Sequence, residues 1–140
     1  MRWILGCIAL VTVAGAQVVI PKPDSPERKA IMNAVRPLVE KKVKQKVVFK
    51  VNVLRVSKRY AFMNAQPIQP SGKPVDYRKT IYWEDIQNGA FDDQVLVLLK
   101  KSGSKWKVLE WSLGATDWPV EDWLRKHKDA PKDVVGFAGY

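Results

Sequence analysis

The most regular pattern of apolar positions lies in the second half of the chain. The run Val95–Leu99 is apolar on both faces of an extended strand, which predicts a strand inside a sheet rather than at its edge. The basic segment Lys100–Lys105 follows, and its glycine suits a hairpin turn. The next run, Trp106–Leu113, alternates and predicts the partner strand, with Trp106 and Trp111 on opposite faces.

Apolar residues recur at spacings of three and four after Pro26 and predict a helix. Asp24 or Ser25 can cap its start, and Pro37 is expected to bend it. Its apolar face consists of Ala30, Ile31, Ala34, Val35, Leu38 and Val39. Lysines crowd the end of this helix, which indicates a solvated helix end, with an anion site as the alternative.

A second hairpin is predicted directly after this helix. The strand from Val47 to Val56 carries one apolar face made of Val47, Phe49, Val51 and Val53. A short polar turn leads into a strand over Tyr60–Ala65. The segment Gln66–Pro74 contains three prolines and a glycine, so we expect a loop or an edge excursion there.

The order of these elements predicts a single α+β domain over residues 26–140, preceded by an extended lead over residues 17–25. In the predicted fold, an N-terminal helix packs on a curved antiparallel sheet of four to five strands. Thr116 or Asp117 can cap a short C-terminal helix that runs from Val120 to about Lys128.

The first sixteen residues have the pattern of a secretory signal peptide. Arg2 precedes an apolar core, Trp3–Val13, which is too short to span a bilayer of about 30 Å. Ala14-Gly15-Ala16 supplies small residues for cleavage after Ala16. Cys7 superficially resembles a lipoprotein processing site, but most of the apolar core follows it. The sequence therefore predicts a periplasmic or secreted protein.

Charge and cysteine usage narrow the classes of function. Removing the signal lowers the net charge from +10 to +9, because Arg2 is its only charged residue. It also removes the only cysteine, so thiol chemistry is excluded from the processed chain and its stability must come from core packing. No later segment has the apolar length of a membrane span.

Several segments together resemble a known group of proteins. They are Glu27–Pro37, Val47–Val51, Tyr60–Met63, Val97–Lys100, Trp106–Val108 and Gly114–Trp118. In these segments the chain resembles small secreted, uncharacterised proteins of Gram-negative bacteria, and the resemblance covers nearly the whole processed chain. The order of elements is also similar to a cystatin-like or NTF2-like wrap of one helix across a curved sheet. Neither resemblance implies a mechanism.

Catalytic signatures are missing from the sequence. No metalloprotease, serine-hydrolase or P-loop pattern occurs, and no cofactor, metal site or catalytic residue is predicted. His127 lies in a basic helix end and is expected to be a solvated surface residue. The acidic pairs Glu84-Asp85, Asp92-Asp93 and Glu121-Asp122 leave a small periplasmic hydrolase using loop carboxylates as the alternative function.

Aromatic residues suggest where a ligand would bind. Five of the six tryptophans follow the signal, and we expect them to fill the core between the sheet and the C-terminal helix. The candidate ligand site lies between the Gln66–Tyr82 loop and the sheet, on Tyr77, Arg78, Lys79, Tyr82 and Trp83. The rings would stack on a ligand and the cations would orient an anionic group. In the competing interpretation, Tyr82 and Trp83 only pack the loop onto the sheet.

The positive charge bears on the choice of partner. Export argues against nucleic acid, so the candidate partners are an anionic cell-envelope polymer or another envelope protein. A basic surface that only keeps the protein soluble is the simpler interpretation. The sequence favours an exported, non-catalytic binding or interaction module, and enzymatic activity is the weaker hypothesis.

Overall fold

The computed structural model describes residues 18–136, and the signal peptide prediction lies outside this range. The helices are α1 (Pro26–Val43), α2 (Trp83–Gln87), α3 (Val120–Lys126) and α4 (Lys132–Val135). The strands are β1 (Val48–Ser57), β2 (Tyr60–Ile68), β3 (Asp92–Ser102) and β4 (Lys105–Gly114). They form one antiparallel sheet in the order β1-β2-β3-β4. The predicted α+β architecture is confirmed, and the sheet, expected to have four to five strands, has four.

Helix α1 begins and ends where its local sequence chemistry predicts. The Ser25 side chain accepts a hydrogen bond from the Arg28 backbone N–H at 3.2 Å, and Pro26 occupies the first turn. Lys44 takes a left-handed conformation, with φ of 56°, and ends the helix. Its buried face consists of Ile31, Met32, Val35, Val39 and Val43.

Strand β1 contains a β-bulge, and this bulge makes one prediction about its faces wrong. Val51 pairs with Ala65, whereas Val53 pairs with Asn64, so Asn52 is an extra residue in the strand. The side chains after a bulge change faces, and the prediction that Val53 shares a face with Phe49 and Val51 is therefore wrong.

Strand β2 extends further than predicted, to Ile68. Strand β3 pairs with β2 only as far as Ala65, so Gln66 and Pro67 pair on the β1 side alone, while Ile68 also bridges to Pro74. A proline is tolerated at such an edge, which explains how Pro67 pairs with Phe49 inside a strand. The predicted loop begins after Ile68.

Strand β3 is an inner strand, as its apolar run predicts, and Val95–Leu99 are buried throughout. A second bulge interrupts β4, because Leu98 pairs with Glu110 while Leu99 pairs with Val108. Leu109 is the extra residue, so Trp106 and Trp111 lie on the same face. The predicted placement of these two tryptophans on opposite faces is wrong.

The sheet is covered on both faces. The first core lies between the sheet and α1 and contains Val95, Val97, Leu99 and Trp106, with Trp83 and Trp111 packed against it. The second core lies on the other face, where α3 and α4 bury Phe62 and Leu98.

The tryptophans therefore divide between the two faces of the sheet. Trp123 belongs to the second core, and the Trp118 ring meets Phe62 edge-on with centroids 6.1 Å apart. The expectation that all the tryptophans fill the space beneath the C-terminal helix is wrong. Within residues 18–136, no helix has the length and apolar character that crossing a membrane requires.

Candidate functional site

The segment between β2 and β3 closes one end of the first core with aromatic rings. Tyr77 is buried, and its ring lies 4.9 Å from that of Phe91 and 6.1 Å from that of Tyr82, measured between centroids. Tyr82 and Trp83 are half-buried and pack against the same core. This part of the sheet face is filled by side chains of the protein itself.

A hydrogen-bonded carboxylate fixes this segment to the sheet. The Tyr77 hydroxyl donates to Asp93 Oδ1 at 2.5 Å, and Gln66 Nε2 donates to Asp93 Oδ2 at 3.0 Å. Burial raises the pKa of Tyr77 well above its ordinary value of 10.0, and the bond to the Asp93 carboxylate raises it further. Tyr77 therefore remains a neutral donor throughout the physiological pH range.

Gln45 joins the end of α1 to the same segment. Its side-chain amide forms two hydrogen bonds with the backbone of Asp76, one donated and one accepted, as a paired β-strand does. Gln45 Nε2 donates to the Asp76 carbonyl at 2.6 Å, and Gln45 Oε1 accepts from the Asp76 N–H at 3.1 Å. Gln45 Nε2 also contacts the Val43 carbonyl at 3.1 Å, which satisfies a free acceptor at the helix end.

A cleft of about 460 Å³ lies between this helix end and the loop. Three cationic side chains line it, those of Lys44, Arg78 and Lys79, together with one carboxylate, that of Asp76. Gln45, Gln69 and Thr80 add polar groups to the wall, and Val43 also lines it. The excess of cations gives the cleft a positive potential suited to an anionic group.

Asp76 orients Arg78 within the cleft. Arg78 Nε and Nη2 donate to the two carboxylate oxygens of Asp76 at 2.9 and 2.8 Å, and the Arg78 backbone N–H adds a third bond at 3.1 Å. The hydrogen bonds from the Arg78 side chain lower the pKa of Asp76 most, and the bond from the Arg78 backbone N–H lowers it further, to about 2. The remaining N–H groups of the guanidinium stay available to a ligand.

The predicted site residues fall into two groups in the structure. Arg78 and Lys79 are exposed and line the same cleft. Tyr77 is only 7% exposed, so it supports the loop and offers no ring face to a ligand. Tyr82 and Trp83 pack against the first core, in line with the packing interpretation of these rings.

Sequence reasoning did not identify the polar residues that line the cleft, and Gln45 and Asp76 are the pair that joins its two sides. They lie 31 positions apart, and neither belongs to a periodic pattern or a motif. The lysine cluster after α1 was the one available signal, because it marked this helix end as a possible anion site.

The three acidic pairs lie in different parts of the fold, on α2, at the start of β3 and on α3. Glu84 and Asp85 are exposed on α2, while Glu121 and Asp122 are exposed on α3, which packs on the opposite face of the sheet. Asp93 is half-buried, but both its oxygens accept the bonds described above. Among residues 18–136, no group of three His, Cys, Asp or Glu side chains could hold a metal ion.

His127 differs from its predicted solvated state. Its side chain is 27% exposed, and Nε2 lies 3.2 Å from Glu110 Oε1. Lys126 Nζ lies 3.6 Å from the same oxygen. The contact joins the end of α3 to β4, so His127 helps to attach this helix to the sheet.

Comparisons of the chain with protein-family models, with curated proteins and with solved structures found no match. The resemblance to small secreted proteins and to cystatin-like or NTF2-like wraps therefore stays a prediction.

Proposed function

We propose that this protein is an exported, non-catalytic binding module for an anionic component of the cell envelope. The ligand lies in the cleft between the end of α1 and the loop that carries Arg78 and Lys79. Secretion rests on the N-terminal pattern of Arg2, a short apolar core and Ala14-Gly15-Ala16.

The observation that carries the proposal is the charge arrangement of this cleft. Three cations face one carboxylate, and that carboxylate holds the Arg78 guanidinium in one orientation. An oriented guanidinium loses less side-chain entropy when it binds a planar carboxylate. Lys79 adds an adjacent point charge, so a glycan or peptide fragment with free carboxylates fits the site.

The walls of the cleft are fixed, which supports binding by a preformed site. Gln45 holds the backbone of Asp76, and the next residue, Tyr77, is held through Asp93. On the other side of Arg78 and Lys79, the Thr80 hydroxyl donates to the Tyr77 carbonyl at 2.7 Å, so both cations extend from a segment that is hydrogen-bonded before and after them.

Calorimetric titration with soluble peptidoglycan fragments that carry free carboxylates tests the proposal. The double variant Arg78→Gln/Lys79→Gln is expected to bind at least roughly tenfold more weakly, because it removes two charge-assisted hydrogen-bond donors. The control Lys128→Gln/Lys132→Gln removes the same charge at two exposed positions outside the cleft and should bind within about twofold of the unaltered chain. Equal losses in both variants would show that only net charge matters, and the proposal would fail.

A further inference from the structure

The opposite end of the sheet carries a second concentration of positive charge, which we call the basic end. Both hairpin turns lie there, because Ser57, Tyr60, Lys100 and Lys107 form one row across the four strands. The basic end consists of Lys58, Arg59, Lys100, Lys101, Lys105 and Lys107.

These cations are held side by side by contacts between the two turns. The Arg59 guanidinium donates to the Lys101 carbonyl at 3.0 and 3.2 Å, and the Lys101 N–H donates to the Arg59 carbonyl at 2.7 Å. A groove of about 510 Å³ between the turns is lined by Arg59, Lys100, Lys101 and Lys107 together with Ser102 and Leu109. No carboxylate lines this groove.

Few acidic groups balance this charge. In the part of the chain that the structure describes, the only ion pair of the basic end joins Lys101 Nζ to Glu27 Oε2 at 3.3 Å. Glu27 lies in the first turn of α1, so the positive end of the helix dipole is at the same end of the molecule.

Exposed apolar residues lie beside these cations. Val19 pairs with Val56 through two backbone hydrogen bonds of 2.8 Å, which places the N-terminal lead next to the β1–β2 turn. Val19 is 56% exposed and Ile20 is 72% exposed. Positive charge next to exposed aliphatic side chains is the combination that binds the interface of an anionic bilayer.

We infer that the basic end docks this protein on the surface of a bilayer that contains anionic phospholipids. The lysines contact the phosphate layer, and Ile20 enters the interfacial region. Because the cleft lies at the other end of the sheet, it faces away from the membrane in this orientation. The inference does not depend on the ligand proposed for the cleft.

Co-sedimentation with vesicles of phosphatidylethanolamine, with and without phosphatidylglycerol, tests this inference. The chain that starts at Gln17 is suitable because it retains every described residue. It is expected to bind only the vesicles that contain phosphatidylglycerol. Lys100→Gln/Lys107→Gln should weaken binding roughly thirtyfold, since each lysine near an anionic surface contributes about fivefold.

Two further variants complete the design. Lys128→Gln/Lys132→Gln removes equal charge elsewhere and is expected to stay within about threefold of the unaltered chain. Ile20→Ser should weaken binding severalfold, and this loss should persist at high salt because it is not electrostatic. Equal binding to neutral vesicles, equal losses in the two lysine variants, or unchanged binding of Ile20→Ser would overturn the inference.

Discussion

Replacing Tyr77 with phenylalanine tests how the loop at the candidate site is held. The substitution keeps a ring that can pack against Phe91 and removes only the hydroxyl that donates to Asp93. A hydrogen bond to a charged acceptor contributes about 1.5–3 kcal/mol, and the half-buried carboxylate would lose one of its two partners. We therefore expect Tyr77→Phe to lower the free energy of unfolding by about 1.5–3 kcal/mol near neutral pH.

The same substitution has a pH signature whose sign follows from the raised pKa of Tyr77. Below about pH 10 the phenol keeps its proton in both the folded and the unfolded chain, so it adds no pH dependence. Above that value the unfolded chain releases the proton while the folded chain retains it, because burial and Asp93 disfavour the phenolate. Stability then falls by up to about 1.4 kcal/mol per pH unit from this residue alone.

Chemical denaturation of both proteins between about pH 7 and pH 11 measures these effects. The stability difference between them should be largest near neutral pH and should shrink by about 1 kcal/mol or more at about pH 11, because phenylalanine does not titrate. Tyr82→Phe is the matched control near neutral pH, since Tyr82 is a half-buried neighbour and its substitution should cost under about 0.5 kcal/mol. If the difference in unfolding free energy between the two proteins stays constant across this pH range, the claim that the folded chain keeps Tyr77 protonated is refuted.

Three further predictions address the core, the sheet edge and export. Leu98→Ala, at a residue with 0% exposure in the second core, should cost on the order of 2–5 kcal/mol in chemical denaturation, and a loss under about 0.5 kcal/mol would contradict its burial. Gly114→Ala would place a methyl group in steric overlap with the Phe91 ring at a φ of +89°, so it should cost on the order of 2–4 kcal/mol by the same measurement. Gly72→Ala shares the positive φ without any close contact and should cost clearly less. Mass spectrometry of the protein from its native host should find Gln17 as the first residue, whereas a retained Met1 or a lipid on Cys7 would disprove the predicted cleavage.

The elements that the sequence predicts well are those with a strong local pattern. The repeated apolar spacing after Pro26 and the capping residue Ser25 determine α1 almost alone. The run Val95–Leu99 is apolar on both faces, and this property requires an inner strand with layers on each side.

The bulges at Asn52 and Leu109 could not be predicted in the same way. Strict alternation assigns every residue of a strand to a face, and one extra residue reverses all later assignments. Neither position carries a glycine or another local marker of a bulge.

The candidate site depends on contacts between distant parts of the chain. Gln45 meets Asp76 across 31 positions, and Tyr77 meets Asp93 across 16. Local patterns identified Arg78 and Lys79 as exposed cations on a loop, but they could not show that the ring of Tyr77 lies inside the core. Long-range side-chain pairing of this kind is specified by the assembled fold rather than by periodicity.

Backbone amide chemical-shift mapping tests the proposed binding module most directly. The processed chain would be titrated with carboxylate-bearing peptidoglycan fragments at physiological ionic strength, where screening suppresses diffuse attraction to exposed lysines. We predict that the largest shifts fall on Gln45 and on Asp76–Thr80, that they saturate, and that they are absent in Arg78→Gln/Lys79→Gln. Shifts that spread over the surface lysines and disappear with added salt would contradict the existence of a specific site in this cleft.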